Sequence, residues 1–173
     1  FGHVDESLED AAYRELREEA GLGPDAVRLE QLRAYGDPGR DPRPERIVSI
    51  AWLALGADLP DPTPDTDDDR AEWVPVDEAF ARDLAFDHAQ ILRDGIERAR
   101  SKLEYTTIAT AFCEPTFTLP DLRRVYEAVW DTHLDPRNFQ RKILSADGFV
   151  EDTGQIIRGR GNPAKVYRAG PAT

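Results

Sequence analysis

Glu15, Glu18 and Glu19 lie at offsets of three and four, so on a helix their carboxylates share one face. Three like charges held that closely repel one another, and a helix gains nothing from the arrangement by itself. A bound divalent cation would offset the repulsion. Mg2+ is hard, prefers oxygen ligands, and commonly sits between a few carboxylates and the phosphates of a substrate. The same residues also describe a solvated acidic helix face, the commoner meaning of a charge run. Residue type and spacing leave both readings standing.

The helix that would carry these carboxylates is well signposted. Ser7 or Asp5 can cap a start near Leu8, and Gly21 suits the position just after a helix that ends at Ala20. Leu8, Ala12 and Leu16 form an apolar stripe able to dock on a sheet while the carboxylates point elsewhere.

The wider pattern is more specific. From Glu6 the chain runs seven residues to Arg14-Glu15-Leu16-x-Glu18-Glu19-x-Gly21-Leu22. This resembles the Nudix box, G-x5-E-x7-R-E-U-x-E-E-x-G-U with U aliphatic, at every fixed position after the leading Gly. That Gly would fall one residue before Phe1, and Gly2 does not have the spacing to replace it. The resemblance implies that Glu15, Glu18 and Glu19 are ligands of Mg2+ (or Mn2+), with Glu18 and Glu19 also catalytic. It implies a structural role for Glu6 and Arg14, whose pairing would hold the preceding loop against the helix. The chain contains no Met and begins inside the motif. We therefore expect it to be less than a complete translated protein, with the upstream strands of a Nudix fold missing from it.

The chain has 173 residues, 40% of them hydrophobic, enough for one or two cores. No apolar run approaches the roughly 20 residues of a membrane helix, so no membrane partner is expected. No signal peptide is recognisable and Cys113 is the single cysteine, so a disulfide framework is excluded and cytoplasmic residence is expected. Cys113 itself, within Thr-Ala-Phe-Cys, reads as a small core residue. Charge is uneven: residues 1–102 hold 25 acids against 13 bases, whereas residues 103–173 hold nine of each. The acidic first part repels nucleic acid. The second clusters its bases as Arg137, Arg141 and Lys142, then Arg158, Arg160 and Lys165. The shift places a domain boundary between 101 and 102.

Within residues 1–101 the pattern predicts strands over 27–32 and 47–55, the latter a continuous apolar run that reads as a central strand buried on both faces. A short strand over 72–76 and helices over 77–84 and 87–102 follow. Residues 35–46 and 59–70, rich in Gly, Pro and Asp, read as loops. Arg40, Arg43 and Arg46 flank the second strand and could clamp a pyrophosphate or stack on a purine, or simply solubilise the loop. Asp67, Asp68 and Asp69 read as a solvated acidic loop. Trp52 and Trp73 are expected in the core, and His3, His88 and His133 show no mutual ligand spacing.

Residues 102–173 predict a nucleic-acid-binding module. Thr118-Leu119-Pro120-Asp121 is a helix start, followed by the stripe Leu122, Val125, Tyr126 and Val129. After a short turn at 131–134, Asp135-Pro136 starts a second helix. In it Phe139, Ile143 and Leu144 would face inward and Arg137, Asn138, Arg141 and Lys142 outward. A pair of helices joined by a few residues, the second basic and amide-bearing, follows helix-turn-helix logic. Phe149-Val150, a turn near Thr153-Gly154 and Lys165-Val166-Tyr167-Arg168 then suggest a hairpin wing. Its tip would carry Arg158-Gly159-Arg160-Gly161, suited to a narrow groove or to phosphates. The competing reading is a protein-interaction winged helix with no nucleic-acid role.

Taken together, the Nudix box and Phe-Thr-Leu-x-x-Leu-Arg-Arg-Val-Tyr-Glu…Leu-Asp-Pro-Arg-Asn-Phe-x-Arg-Lys…Asn-Pro-Ala-Lys-Val-Tyr-Arg resemble the NrtR-type, Nudix-related transcriptional regulators of NAD biosynthesis. That resemblance implies an α/β Nudix fold, a mixed sheet with helices, followed by an α+β winged helix-turn-helix. It implies a homodimeric repressor that binds a double-stranded DNA operator and is released by ADP-ribose held in the first domain. Many members carry a degraded box, whereas all three box carboxylates are present here, so hydrolysis of ADP-ribose to AMP and ribose 5-phosphate stays open. The alternative is a Nudix pyrophosphohydrolase with an accessory C-terminal interaction domain.

Overall fold

The computed structural model describes residues 4–43, 45–63, 71–158 and 163–172, with the backbone alone at Tyr105. The chain divides into two compact units, Phe1–Arg98 and Ala99–Thr173.

In the first unit, α1 (Leu8–Ala20) starts at Ser7, whose hydroxyl accepts from the Asp10 amide at 3.1 Å. It ends at Gly21, where φ is 69° and the amide donates to the Arg17 carbonyl at 2.9 Å. A Cβ at Gly21 would lie 2.2 Å from the Thr63 hydroxyl, so both conformation and space demand glycine there. The buried residue of α1 is Ala11, while Leu8, expected on the docking stripe, is exposed. It sits in the first turn, where only the following turn is available to cover it.

Strands β1 (Leu29–Tyr35) and β2 (Ser49–Ala54) pair antiparallel, from Leu29 opposite Ala54 to Tyr35 opposite Ser49, with a register shift between Gln31 and Arg33. Tyr13 ties α1 to this sheet by accepting from the Leu29 amide at 2.9 Å. Every residue of β2 is half-buried, not buried on both faces as its apolar run suggests. Full burial needs layers on both sides of a strand, and among the described residues the sheet has only these two strands.

Residues 72–76 form no strand. Pro75 lacks an amide donor and instead precedes a short helix α2 (Val76–Ala81). Trp73 is exposed rather than in the core, its indole N–H donating to the Pro60 carbonyl at 3.0 Å, and Trp52 is half-buried. Helix α3 (His88–Tyr105) follows, and the division between the units falls within it.

In the second unit a 3-10 helix (Thr107–Phe112) leads to β3 (Phe117–Thr118) and α4 (Leu119–Trp130). A reciprocal cap at Thr118 and Asp121 starts α4, with Pro120 in its first turn. Asp131, at φ 47°, ends it. Asp135 caps α5 (Pro136–Ser145), its carboxylate accepting from the Asn138 amide at 2.8 Å. Strands β4 (Val150–Ile157) and β5 (Ala164–Ala169) complete an antiparallel sheet in the order β3-β5-β4. Thr153-Gly154 is not a turn but a break in register inside β4, between Asp152 and Ile156, with Gly154 at φ 75°.

The core of this unit joins Leu103, Ala109, Phe117, Leu119, Leu122, Tyr126, Phe139, Ile143, Phe149 and Tyr167. Cys113 packs against it, and burial pushes its thiol pKa up, consistent with a core role. Leu144 faces outward instead of inward: it follows Ile143 by one residue, about 100° round the helix, and leaves the buried stripe.

Candidate metal centre and nucleic-acid interface

On α1, Glu15 is half-buried and Glu18 and Glu19 are exposed. Arg14 organises their surroundings. Its guanidinium donates to both Glu6 oxygens, at 2.8 and 3.2 Å, and to Glu18 at 3.1 Å, and it lies 3.6 Å from Glu15. The Glu6 hydrogen bonds, reinforced by the charges of Glu6 and Glu18, raise the Arg14 pKa above its ordinary value. The Glu6–Arg14 tie holds the preceding loop against the helix. The donor set fits a hard divalent cation in chemistry, being carboxylate oxygens on one face. Their side chains do not converge, and among the described residues no three His, Cys, Asp or Glu side chains form a ready cage. An ion taken up by Glu15 and Glu18 would have to displace Arg14 from them.

Beyond α1, the loop at 37–47 bounds an open pocket of about 280 Å3 lined by Arg40, Asp41, Arg43 and Arg46 among others. The three arginines have different tasks there. Arg40 is almost fully buried; it grips Asp87 through two bonds of 2.7 Å and donates to the Ser49 hydroxyl at 3.0 Å, so it braces the fold. Arg43 is held by Asp41 at 2.5 Å, and that hydrogen-bonded guanidinium draws the Asp41 carboxyl down to about 2. Arg46 donates to the Gly36 carbonyl at 2.9 and 3.2 Å, and has no counter-ion among the described residues. Burial and a 2.7 Å bond to Asp94 push the Tyr35 hydroxyl up to about 12. Asp67, Asp68, Asp69 and His3 lie outside the described residues.

In the second unit α5 buries Phe139 and Ile143 and exposes Arg137, Asn138, Arg141 and Lys142 together. Arg141 donates to the Asn138 side-chain oxygen at 2.9 Å, which leaves the Asn138 amide N–H groups for an acceptor on a base edge. Arg158 is exposed at the end of β4, and Lys165 is exposed on β5 beside Asp152 at 2.7 Å. Arg160 lies outside the described residues. Sequence reasoning missed Arg168, exposed on β5, and the acids that pair with these bases. The strand alternation of β4 and β5 carried that signal, since Glu151 and Arg168 face each other in register.

A capped acidic helix tied to an antiparallel strand pair, then a capped helix pair with a hairpin wing, define a Nudix-like domain followed by a winged helix. Comparison with known proteins agrees. Residues 2–95 match the NUDIX domain and residues 110–169 match the NrtR DNA-binding winged helix domain. The chain thus belongs to the Nudix family and to its NrtR type.

Among relatives, the ADPR responsive transcriptional repressor NtrR of Acinetobacter baylyi is 32% identical over 164 residues, 95% of this chain. The chain spans 64% of that protein's length. An ADP-ribose pyrophosphatase of Methanocaldococcus jannaschii is 35% identical over 96 residues, 54% of this chain and 52% of that protein. Shewanella oneidensis NrtR, solved with a 27mer DNA, superposes with a TM-score of 0.69 at 29% identity, covering 99% of this chain and 77% of that one. A MutT/nudix family protein from Enterococcus faecalis, at 23% identity and a TM-score of 0.65, shares the fold. Nudix proteins generally use divalent metals. Among the described residues no helix is long and apolar enough to cross a membrane.

Proposed function

We propose that this protein is an ADP-ribose-responsive transcriptional repressor of NAD biosynthesis and salvage genes, acting in the cytoplasm as a homodimer on an operator in duplex DNA. The observation that carries this reading is the exposed face of α5, with Arg137, Asn138, Arg141 and Lys142 on one side of a helix anchored by Phe139 and Ile143. Arg158 and Lys165 extend the DNA contact along the wing, and Arg160, outside the described residues, is assigned to it from the sequence alone. Support comes from the Acinetobacter relative, whose name makes it an ADPR-responsive repressor, and from the Shewanella protein solved with DNA. In this reading residues 1–101 hold the effector and residues 102–173 hold DNA.

Glu15, Glu18 and Glu19 would hold Mg2+ (or Mn2+), and Arg43 and Arg46 would take the phosphates or the purine. Such an ion, when bound, neutralises pyrophosphate charge and lowers the pKa of a bound water. Arg14 supports the site by releasing Glu15 and Glu18 while keeping Glu6. Arg46, without a counter-ion among the described residues, is the readier of the two loop arginines; Arg43 must first leave Asp41. ADP-ribose releases DNA only as far as it binds the DNA-free arrangement more tightly than the DNA-bound one.

A second reading, hydrolysis of ADP-ribose, is favoured by the presence of all three box carboxylates, with Glu18 and Glu19 as the catalytic pair, and by the Methanocaldococcus relative. One experiment separates the two. Anisotropy of a labelled duplex from the gene's own upstream region is followed while ADP-ribose is added, with AMP release assayed in parallel. Tight binding relieved by ADP-ribose supports the repressor. Rapid turnover with no specific binding to that or any other promoter supports the hydrolase.

A further inference from the structure

Residues 103–173, most of the second unit, contain nine acids and nine bases, an unusual balance for a surface meant for a polyanion. The acids are not scattered at random. Lys142 on α5 meets Glu104, in the last turn of α3, at 3.1 Å. Lys165 meets Asp152 at 2.7 Å, and Arg168 meets Glu151 at 2.7 Å across the wing. Each carboxylate offers its base the same kind of anionic oxygen acceptor as a phosphate. All three bases are exposed, at 63 or 64% of their side-chain area, and pairs so exposed contribute little to folding. Stability does not account for them.

We propose that Glu104, Glu151 and Asp152 are specificity-determining residues: as internal phosphate surrogates they keep Lys142, Lys165 and Arg168 off the backbone of non-operator DNA. The inference rests on reading this unit as a DNA-binding module. Sequence-independent binding is almost wholly electrostatic and gains from the counterions released at each base–phosphate contact. A base that already holds a carboxylate gives up that partner instead, and leaves the carboxylate facing a polyanion. Operator binding has base-edge contacts to offset this exchange; non-operator binding has none. The pairs therefore weaken the second more than the first. Arg137 and Arg158, with no ion pair among the described residues, keep the basal attraction.

The test uses the full chain, a duplex from its own upstream region and a shuffled duplex of equal composition, each titrated across a series of salt concentrations. The triple variant Glu104→Gln, Glu151→Gln, Asp152→Asn keeps side-chain shape, and Asn preserves the acceptor that takes the Gly154 amide at 2.8 Å. Affinity for the shuffled duplex should rise about tenfold, and its salt slope should steepen by about 0.9 for each base released. The ratio of upstream to shuffled affinity should fall. Glu114→Gln removes one exposed charge that has no ion pair among the described residues, and should change shuffled affinity by less than about twofold. Glu104→Gln and Asp152→Asn alone should each give about a twofold to threefold gain, which keeps the test open should the triple variant misfold.

An unchanged shuffled affinity and slope, with upstream binding intact, overturns the proposal and leaves the DNA-binding reading standing. A gain from Glu114→Gln equal to that of either single variant overturns it too, by reducing the effect to net charge. If neither parent nor variants hold any duplex, both fall.

Discussion

The two units are built on different balances of force. Among the described residues, the buried apolar side chains of the first unit are Ala11, Leu22, Val27 and Tyr35, and its sheet strand β2 is half-buried throughout. Its elements are tied by ion pairs, Arg14 to Glu6, Arg40 to Asp87 and Arg98 to Glu30, and by the hydrogen bond from Tyr35 to Asp94. Among its described residues, the second unit concentrates ten side chains in one core, with Leu122 and Ala109 fully buried. It spends its charges at the surface. Under the proposed function, polar ties suit a region whose carboxylates would rearrange around an ion and a phosphate, whereas a packed core suits one that would present α5 in a fixed pose.

The largest test of that contrast is Leu122→Ala. It leaves a void at the centre of the second unit and should cost about 2–5 kcal/mol. Hydrogen exchange should show protection lost across α4, α5 and the wing, with β1 and β2 unaffected. Asp87→Asn strikes the first unit instead. Leaving the nearly buried Arg40 half-satisfied should cost about 1–3 kcal/mol, read as faster exchange in β1 and β2 with α4 and α5 unchanged. Equal effects on both units from either change would erase the distinction. Asp135→Ala removes the cap of α5 and should cost about 1 kcal/mol, seen as fraying of 136–139 and weaker DNA binding while the core stays protected.

The smallest effect is in acid. Asp41 sits at about 2 because Arg43 holds its charged form, below the ordinary value of 3.8. A depressed carboxyl contributes stability above its unfolded pKa and loses it as pH falls through the folded one. The loop at 37–47 should thus loosen between about pH 4 and pH 2, with the Asp41 carboxyl resonance titrating near the lower end. Asp41→Asn should remove that dependence. A midpoint at the ordinary value would mean that the Arg43 pair does not persist in solution.

The same contrast governs how much could be read from the sequence. The start of α5 was legible because Asp135 and Pro136 act locally, through a cap and a fixed φ, and Phe139 with Ile143 sets its buried stripe. Gly21 was legible for a like reason. The burial of β2 was not, because an apolar run reports an appetite for cover and not what covers it. Leu144 shows the limit of a stripe drawn one residue too wide. Pro75 hid in a run that otherwise reads as a strand. Gly154 at positive φ serves a bulge as well as a turn, so its type alone could not choose. At the candidate site, the three carboxylates on one face followed from spacing. The hold of Arg14 over two of them, and the loss of Arg40 to Asp87, depend on side chains distant in sequence or on rotamers, and neither is written in residue order.

The most direct test of the central claim, that the carboxylates of α1 serve the effector and α5 serves DNA, is the Glu19→Gln variant. Its affinity for the upstream duplex and the ADP-ribose concentration that releases that duplex are measured beside the parent. Operator affinity should be unchanged, while the ADP-ribose needed for release should rise about tenfold, the equivalent of about 1.4 kcal/mol of lost coupling. Collapse of operator affinity in this variant, or release at the same ADP-ribose concentration as the parent, would contradict the account.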